Sequence, residues 1–327
     1  MTRVFFIVGP TAVGKSELAA EVARKVGAEV VSADAFQIYR GLDLLTAKPD
    51  QAIMAKALHH LIGNVPLSEE MNAEKYRVAA EETIRGIHRR RKKALVVGGS
   101  GLYIKALTHG LAKLPSANPK LRETLEQASI DELFRSLSAL DPVAAKQIDR
   151  QNKRRLIRAV EVCLLTGKPF SQIRSTGILP VGPAGILPVA GNRQDAYLPH
   201  RQDACATNGI LIYRDRAELY ARINRRVEQM FESGVVNEVA ALSKVGPTAE
   251  KTLGLAEIRA LLAGEISQPE CIAKIQQATR RYAKRQLTWF QRQTNFSALN
   301  LSKYGFSEAI DLISQTPKAF GVSPMND

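Results

Sequence analysis

Eight residues near the start of the chain, GPTAVGKS (Gly9–Ser16), constrain the fold more than any other part of its 327 residues. Gly9, Gly14, Lys15 and Ser16 complete the pattern G-x-x-x-x-G-K-[ST]. In that pattern the glycines let backbone N–H groups curl around an anion. The run before it, RVFFIVG, is continuously apolar, β-branched and aromatic, as a strand buried on both faces must be. The run after it, KSELAAEVARKVG, spaces Leu18, Val22 and Val26 four apart and stops at Gly27, which reads as a helix with its C-terminal cap. Strand, loop and helix in that order aim the positive end of the helix dipole at whatever the loop holds.

The alternation continues. AEVVSAD reads as a second buried strand, AEKYRVAAEETIRGIHRRRKK as a helix and ALVVGGSG as a third strand. Alternating strands and helices predict an α/β fold with a parallel, P-loop NTPase-like sheet. From Pro119 to about Phe170 the pattern is helical without a convincing strand; then GILIYRD returns as a strand and long helices run to about Gln293. The tail after Ser302 is weakly patterned. The expected organisation is a first part of the core over 1–116, a helical insertion over 117–209, and a second part of the core with basic C-terminal helices over 210–327. Within 175–209, GILPV and RQDA each occur twice, and Pro and Gly are frequent. The units are too short and too few for a solenoid, so this stretch is expected to be a surface loop without chemistry.

Lys plus Arg number 46 against 32 Asp plus Glu, a net charge of +14. An excess of that size points to a polyanionic partner, nucleic acid first. Cys163, Cys205 and Cys271 are too scattered for a disulfide framework or a zinc site. Gly9 interrupts the only apolar N-terminal run, so no signal peptide is read. No stretch approaches the ~20 apolar residues of a membrane span. A cytoplasmic protein without a membrane partner is the expectation.

In the phosphate loop, Lys15 would neutralise phosphate charge and Ser16 would hold Mg²⁺. Asp34, closing the second strand, stands where a kinase or NTPase carries a metal-side aspartate. The loop names a phosphate but not a reaction, so a small-molecule kinase remains open on these residues alone.

Further residues narrow the choice. DAFQIYRGLDLLTAKP follows at Asp34, HHLIG at His59, GGSGLY at Gly98, RLIRAVEVCLLTGKP at Arg155 and TRRYAKRQLTWF at Thr279. With the phosphate loop, these stretches make the chain resemble, in order and over nearly its whole length, the bacterial tRNA dimethylallyltransferases (tRNA isopentenyltransferases). The resemblance implies transfer of a dimethylallyl group from its pyrophosphate to N6 of adenosine 37, beside the anticodon of tRNAs that read codons beginning with U. It implies a pyrophosphate site at Gly9, Pro10, Thr11, Ala12, Val13, Gly14, Lys15 and Ser16, with Arg226 near by. It implies tRNA contacts at Asp34, Ala35, Phe36, Gln37 and Ser100, at Arg122, and at Arg154, Arg155, Leu156, Ile157 and Arg158. It also implies Mg²⁺, a tRNA anticodon loop and dimethylallyl pyrophosphate as partners, and a monomer.

These residues suit the implied chemistry. Charge builds on the departing pyrophosphate, where the loop, Lys15 and Mg²⁺ would stabilise it. The exocyclic amine of adenine is a weak nucleophile that needs a carboxylate to orient it and take its proton. Asp34 is the candidate base, a role typically worth about 10²–10⁴-fold. Ser100 would hydrogen-bond the bridging oxygen or the pyrophosphate. In TRRYAKRQLTWFQR, helical spacing puts Ala283, Leu287 and Phe290 on one face and Arg281, Arg285 and Arg292 on another, one stripe for the core and one for phosphates. HRRRKK, from His88, reads instead as cations completing a helix C-terminus. Against the family pattern, Ala35 replaces a usual Ser, Leu255 a usual Tyr, and the ILPV segment is longer. The rivals are the small-molecule kinase, a prenyltransferase acting on free adenine nucleotides, and an RNA-binding scaffold that leaves the phosphate loop unused.

Overall fold

The N-terminal apolar run becomes a central strand because it has two cores to fill. Phe5 and Ile7 enter one buried cluster, Phe6 and Val8 the other, as the two-residue side-chain period of a strand requires. The computed structural model describes residues 4–112, 114–175 and 208–315. The chain divides into two compact units, Met1–Thr108 with Arg201–Asp327 and His109–His200.

The first unit is built on six strands: β1 (Val4–Val8), β2 (Ala28–Ser32), β3 (His59–His60), β4 (Lys93–Gly98), β5 (Asn208–Tyr213) and β6 (Ser297–Asn300). They form one sheet in the order β3-β2-β4-β1-β5-β6, with every neighbouring pair parallel. β1, β2, β4 and β5 are the strands read from sequence. β3 and β6 were not. β3 is two residues long, and β6 (SALN) is half exposed, so neither carries an apolar run.

Helices cover both faces. Before the insertion come α1 (Lys15–Val26), α2 (Gln51–Met54), α3 (Ala73–Arg89) and α4 (Gly101–His109). The second unit holds α5 (Pro119–Gln127), α6 (Ile130–Leu140), α7 (Pro142–Gln147), α8 (Lys153–Thr166) and α9 (Phe170–Ser175) around a core of its own. After it come α10 (Arg216–Glu232), α11 (Val235–Ala240), α12 (Leu255–Leu262), α13 (Gln268–Gln293) and α14 (Phe306–Gln315). Leu18, Val22 and Ala23 of α1 and Ala309 and Ile313 of α14 pack on one face of the sheet. Tyr76 and Ile87 of α3, Ile104 of α4 and Phe290 of α13 pack on the other. A capping box of Ser267 and Glu270 starts the 26-residue α13, satisfying backbone donors that its first turn leaves over. Among the described residues no helix is long and apolar enough to cross a membrane. Of the stretch expected to be a loop over 175–209, the repeats lie outside the described residues, and its described ends differ from the expectation: Ser175 closes α9 and Asn208 and Gly209 open β5, each as part of a regular element.

Parallel pairing sends the C-terminal ends of β1, β2, β4 and β5 to one edge, where α/β sheets bind their ligands. There β1 leads into GPTAVGKS, β2 into DAFQIYRGLDLLTAKP and β4 into GGSGLY.

Candidate active site

The phosphate loop runs from Gly9 into α1. Gly14 is the N-cap of α1 at φ +103°, a backbone conformation open to glycine and strained for other residues. Ala12 also turns left-handed, at φ +64°. Three arginines hold the bend from outside. Arg226 Nη1 donates to Thr11 Oγ1 at 2.9 Å, Arg222 Nε to the Ala12 carbonyl at 2.9 Å, and Arg214 Nε to the Val13 carbonyl at 3.0 Å. The Thr11 N–H donates to Gln286 Oε1 at 2.8 Å, and Gln286 Nε2 donates in turn to the Gly99 carbonyl at 2.9 Å. One buried α13 side chain therefore ties the phosphate loop to the GGSG loop after β4. Lys15 Nζ donates to the Pro10 carbonyl at 2.7 Å. Burial pushes the Lys15 ammonium down to about 8; Asp34 opposes the shift and Arg226 adds to it. Arg226 is likewise depressed by burial, with Asp34 again opposing.

Asp34 lies just past the end of β2, on a backbone stitched on one side to β4 and on the other to the turn that follows it. The Ala33 N–H donates to the Val97 carbonyl at 2.7 Å, and the Ala35 N–H donates to Ser100 Oγ at 2.9 Å. The two strand ends approach so closely that a Cβ on Gly98 would lie 2.1 Å from the Ala33 carbonyl oxygen. Asp34 Oδ1 accepts from the N–H groups of Phe36 at 3.0 Å and Gln37 at 3.3 Å. Oδ2 has no partner among the described residues. Tyr282 hydrogen-bonds Ser100 and Gln286, and burial followed by Asp34 raises its phenol. Tyr76 and Tyr103, stacked with centroids 3.9 Å apart, are raised by burial and also feel the Asp34 charge.

A cleft opens over these groups. Thr11, Asp34, Arg226 and Tyr282, with three further threonines, form its polar part; Phe36, Leu45, Val227, Met230, Leu253 and Ile275 form apolar walls. Gln37 does not line it, since Nε2 donates to the carbonyls of Thr46 and Ala47. Ala35 packs against the core, and Leu255 is fully buried at the start of α12. No group of three or more His, Cys, Asp or Glu that could hold a metal exists among the described residues. Ser16 stands in the first turn of α1, directly after the loop. Mg²⁺ commonly takes one or two protein ligands and completes its shell with phosphate oxygens and water, so the residues present fit a metal carried in with a pyrophosphate.

In the second unit Arg154 is exposed, and Arg155 and Arg158 are half-buried. Leu156 and Ile157, expected among the RNA contacts, are buried in that unit's core. Their side chains pack there against Leu133, Leu137 and their neighbours. Arg122 and Arg158 meet at Glu161.

Sequence reasoning missed Arg214, Arg222, Gln286 and Tyr282. Arg222 and Arg226 are four apart on α10, a shared helix face that could have flagged the first. Gln286 left no such signal.

Residues 37–293 match the family described as IPP transferase. The chain is 40% identical over 297 residues to a tRNA dimethylallyltransferase 1 of Citrifermentans bemidjiense, covering 90% of each. It is 40% identical over 288 residues to a tRNA dimethylallyltransferase of Akkermansia muciniphila, covering 88% of this chain and 90% of that one. A crystal structure of a tRNA isopentenylpyrophosphate transferase from Bacillus halodurans superposes with a TM-score of 0.64 at 31% identity, over 96% of this chain and 95% of that one. The match extends from the strand ends that form the cleft through the helical unit to α13, and the chain therefore belongs to the tRNA dimethylallyltransferase family.

Proposed function

We propose that the cleft binds dimethylallyl pyrophosphate with Mg²⁺ and transfers its five-carbon group to N6 of adenosine 37 in tRNAs that read codons beginning with U. One observation carries the reading: the phosphate loop and a half-free carboxylate border the same apolar-walled cleft. A pyrophosphate on residues 9–16 would leave its allylic tail against Leu45, Val227, Met230 and Ile275. The adenine N6 would approach Asp34 Oδ2, whose partner oxygen is already fixed by two N–H groups. The N6 lone pair then forms the new bond to the allylic carbon as the C–O bond breaks and its electron pair leaves on pyrophosphate. The N6 proton passes to Asp34. Lys15, Arg226 and the loop amides stabilise the departing charge where it develops. A bound Mg²⁺, held by Ser16 and phosphate oxygens, would add Lewis-acid neutralisation of the same charge.

Ser100 acts here chiefly by holding Ala35, and with it Asp34, in register with the GGSG loop. The target base lies in a single-stranded loop, so turning it out costs only a few kcal/mol. The test is an assay with labelled dimethylallyl pyrophosphate, Mg²⁺ and unmodified tRNA carrying adenosines at positions 36, 37 and 38. Label should move to the tRNA. Label reaching only free AMP, or ATP hydrolysis without prenyl transfer, would replace this reading with one of its rivals.

A further inference from the structure

We propose that Glu161 is a positioning residue that holds Arg122 and Arg158 as a preformed pair for neighbouring RNA phosphates. The proposal rests on the tRNA-binding reading of the helical unit. Glu161 is fully buried on α8, with every contact supplied by a donor. Oε1 accepts from the Asn118 N–H at 2.9 Å and from Arg122 Nε at 3.0 Å. Oε2 accepts from Arg122 Nη2 at 3.0 Å and Arg158 Nη1 at 2.6 Å. Arg158 Nη2 is fixed further by the Pro115 carbonyl at 2.7 Å.

The charges do not cancel. Two guanidinium groups share one carboxylate, and their side chains remain 37% and 27% exposed, while Glu161 is at 0%. Among the described residues, Arg122 Nη1 and Arg158 Nε have no partner, so each head keeps donors for an anion. Burial works against an ionised Glu161, yet the two arginines and the Asn118 N–H hold its carboxyl below the ordinary range.

A structural latch between α5 and α8 alone would not call for this arrangement, because replacing a buried ion pair with well-packed apolar side chains is often neutral or stabilising. The buried carboxylate does something an apolar side chain cannot. It orders two solvent-reaching arginines before RNA arrives, so less rotamer freedom is lost on binding. It also fixes their planes, which suits the fork geometry of guanidinium on phosphate.

The experiment compares wild type, Glu161→Gln, Arg122→Ala and Arg158→Ala in full-length protein. It measures KM for tRNA, kcat, affinity for dimethylallyl pyrophosphate alone and the salt dependence of tRNA binding. Thermal melts establish that each variant is folded. Glu161→Gln keeps the side-chain shape but loses the charge. It should raise KM for tRNA roughly tenfold, as expected when a phosphate-binding arrangement is disrupted, with the effect falling on KM more than on kcat. The slope of log affinity against log salt should flatten by about 0.7 for each phosphate no longer neutralised on single-stranded RNA. Prenyl diphosphate affinity should stay at the wild-type value. If Arg122→Ala and Arg158→Ala weaken tRNA binding while folded Glu161→Gln keeps the wild-type KM and slope, Glu161 is only a latch and the proposal fails. If neither arginine variant weakens tRNA binding, the RNA reading of this unit fails, and the positioning role falls with it. Should Glu161→Gln not fold, Glu161→Asp, which retains charge but withdraws it by one methylene, must show the same KM and slope changes in smaller degree; a wild-type slope in that variant overturns the proposal.

Discussion

Asp34 is suited to accept a proton because its two oxygens are treated differently. The Phe36 and Gln37 N–H groups fix Oδ1, while Oδ2 has no partner among the described residues, and the residue lines the cleft. Asp34→Asn keeps the shape and removes the proposed base. It should lower kcat by about 10²–10⁴-fold, while dimethylallyl pyrophosphate binds as tightly as before or tighter, since an anion has left the neighbourhood of Lys15 and Arg226. Single-turnover rates and calorimetry on one preparation check this; affinity that fell in step with rate would make Asp34 a ligand-holding group. Lys15 gives a second prediction. Its ammonium titrates at about 8 against an ordinary 10.5, so pyrophosphate binding above pH 8 must first take up a proton. Affinity should fall by about tenfold per pH unit in that range, with proton uptake visible in buffers of different ionisation enthalpy. Fold stability should move the other way. Between about 8 and 10.5 the unfolded chain binds the extra proton, so stability contributed by Lys15 rises with pH while ligand affinity declines.

Among the elements, α13 does two jobs. Ala283 and Phe290 are buried, while Arg281, Arg285 and Arg292 are exposed, as their spacing predicted. What the spacing concealed is Gln286, a polar side chain on the buried face that joins Thr11 to Gly99. Gln286→Leu would leave the half-buried Thr11 N–H and the buried Gly99 carbonyl without this partner, at a cost of about 1–3 kcal/mol for the buried group left unsatisfied. Denaturant titration should show that destabilisation, and the variant should bind dimethylallyl pyrophosphate more weakly than wild type. The same contrast runs through the rest of the fold. β1, β2, β4 and β5 were legible because strands covered on both faces must be apolar throughout. The phosphate loop was legible because only certain backbones can cradle an anion. β3 and β6, with two and four residues, had too little burial to mark them. Arg214 was hidden because a carbonyl-holding arginine and a solvated one look alike in sequence; Arg222 showed only through its four-residue spacing from Arg226. Leu156 and Ile157 were grouped with the arginines beside them although their side chains point into a core.

At the scale of the molecule, the surplus of 14 positive charges should govern encounter with RNA. tRNA affinity should fall steeply with added salt, by about 0.7 log units per log unit of salt for each phosphate neutralised on single strands. Binding measured by filter retention from low to high salt checks this, and a flat response would contradict a phosphate-dominated interface.

The strand order carries a consequence for synthesis. β1 leaves the ribosome first, but its second sheet neighbour, β5, is translated about 200 residues later, after the whole helical unit. At ~5–20 residues per second, one edge of β1 stays unpaired for roughly 10–40 s. Ribosome-bound chains stalled after residue 175 should therefore be cut by protease within 4–112, whereas chains extended beyond residue 315 should resist. The phosphate-loop half emerges early but acquires its closed sheet late, which makes translation through the insertion its most exposed period.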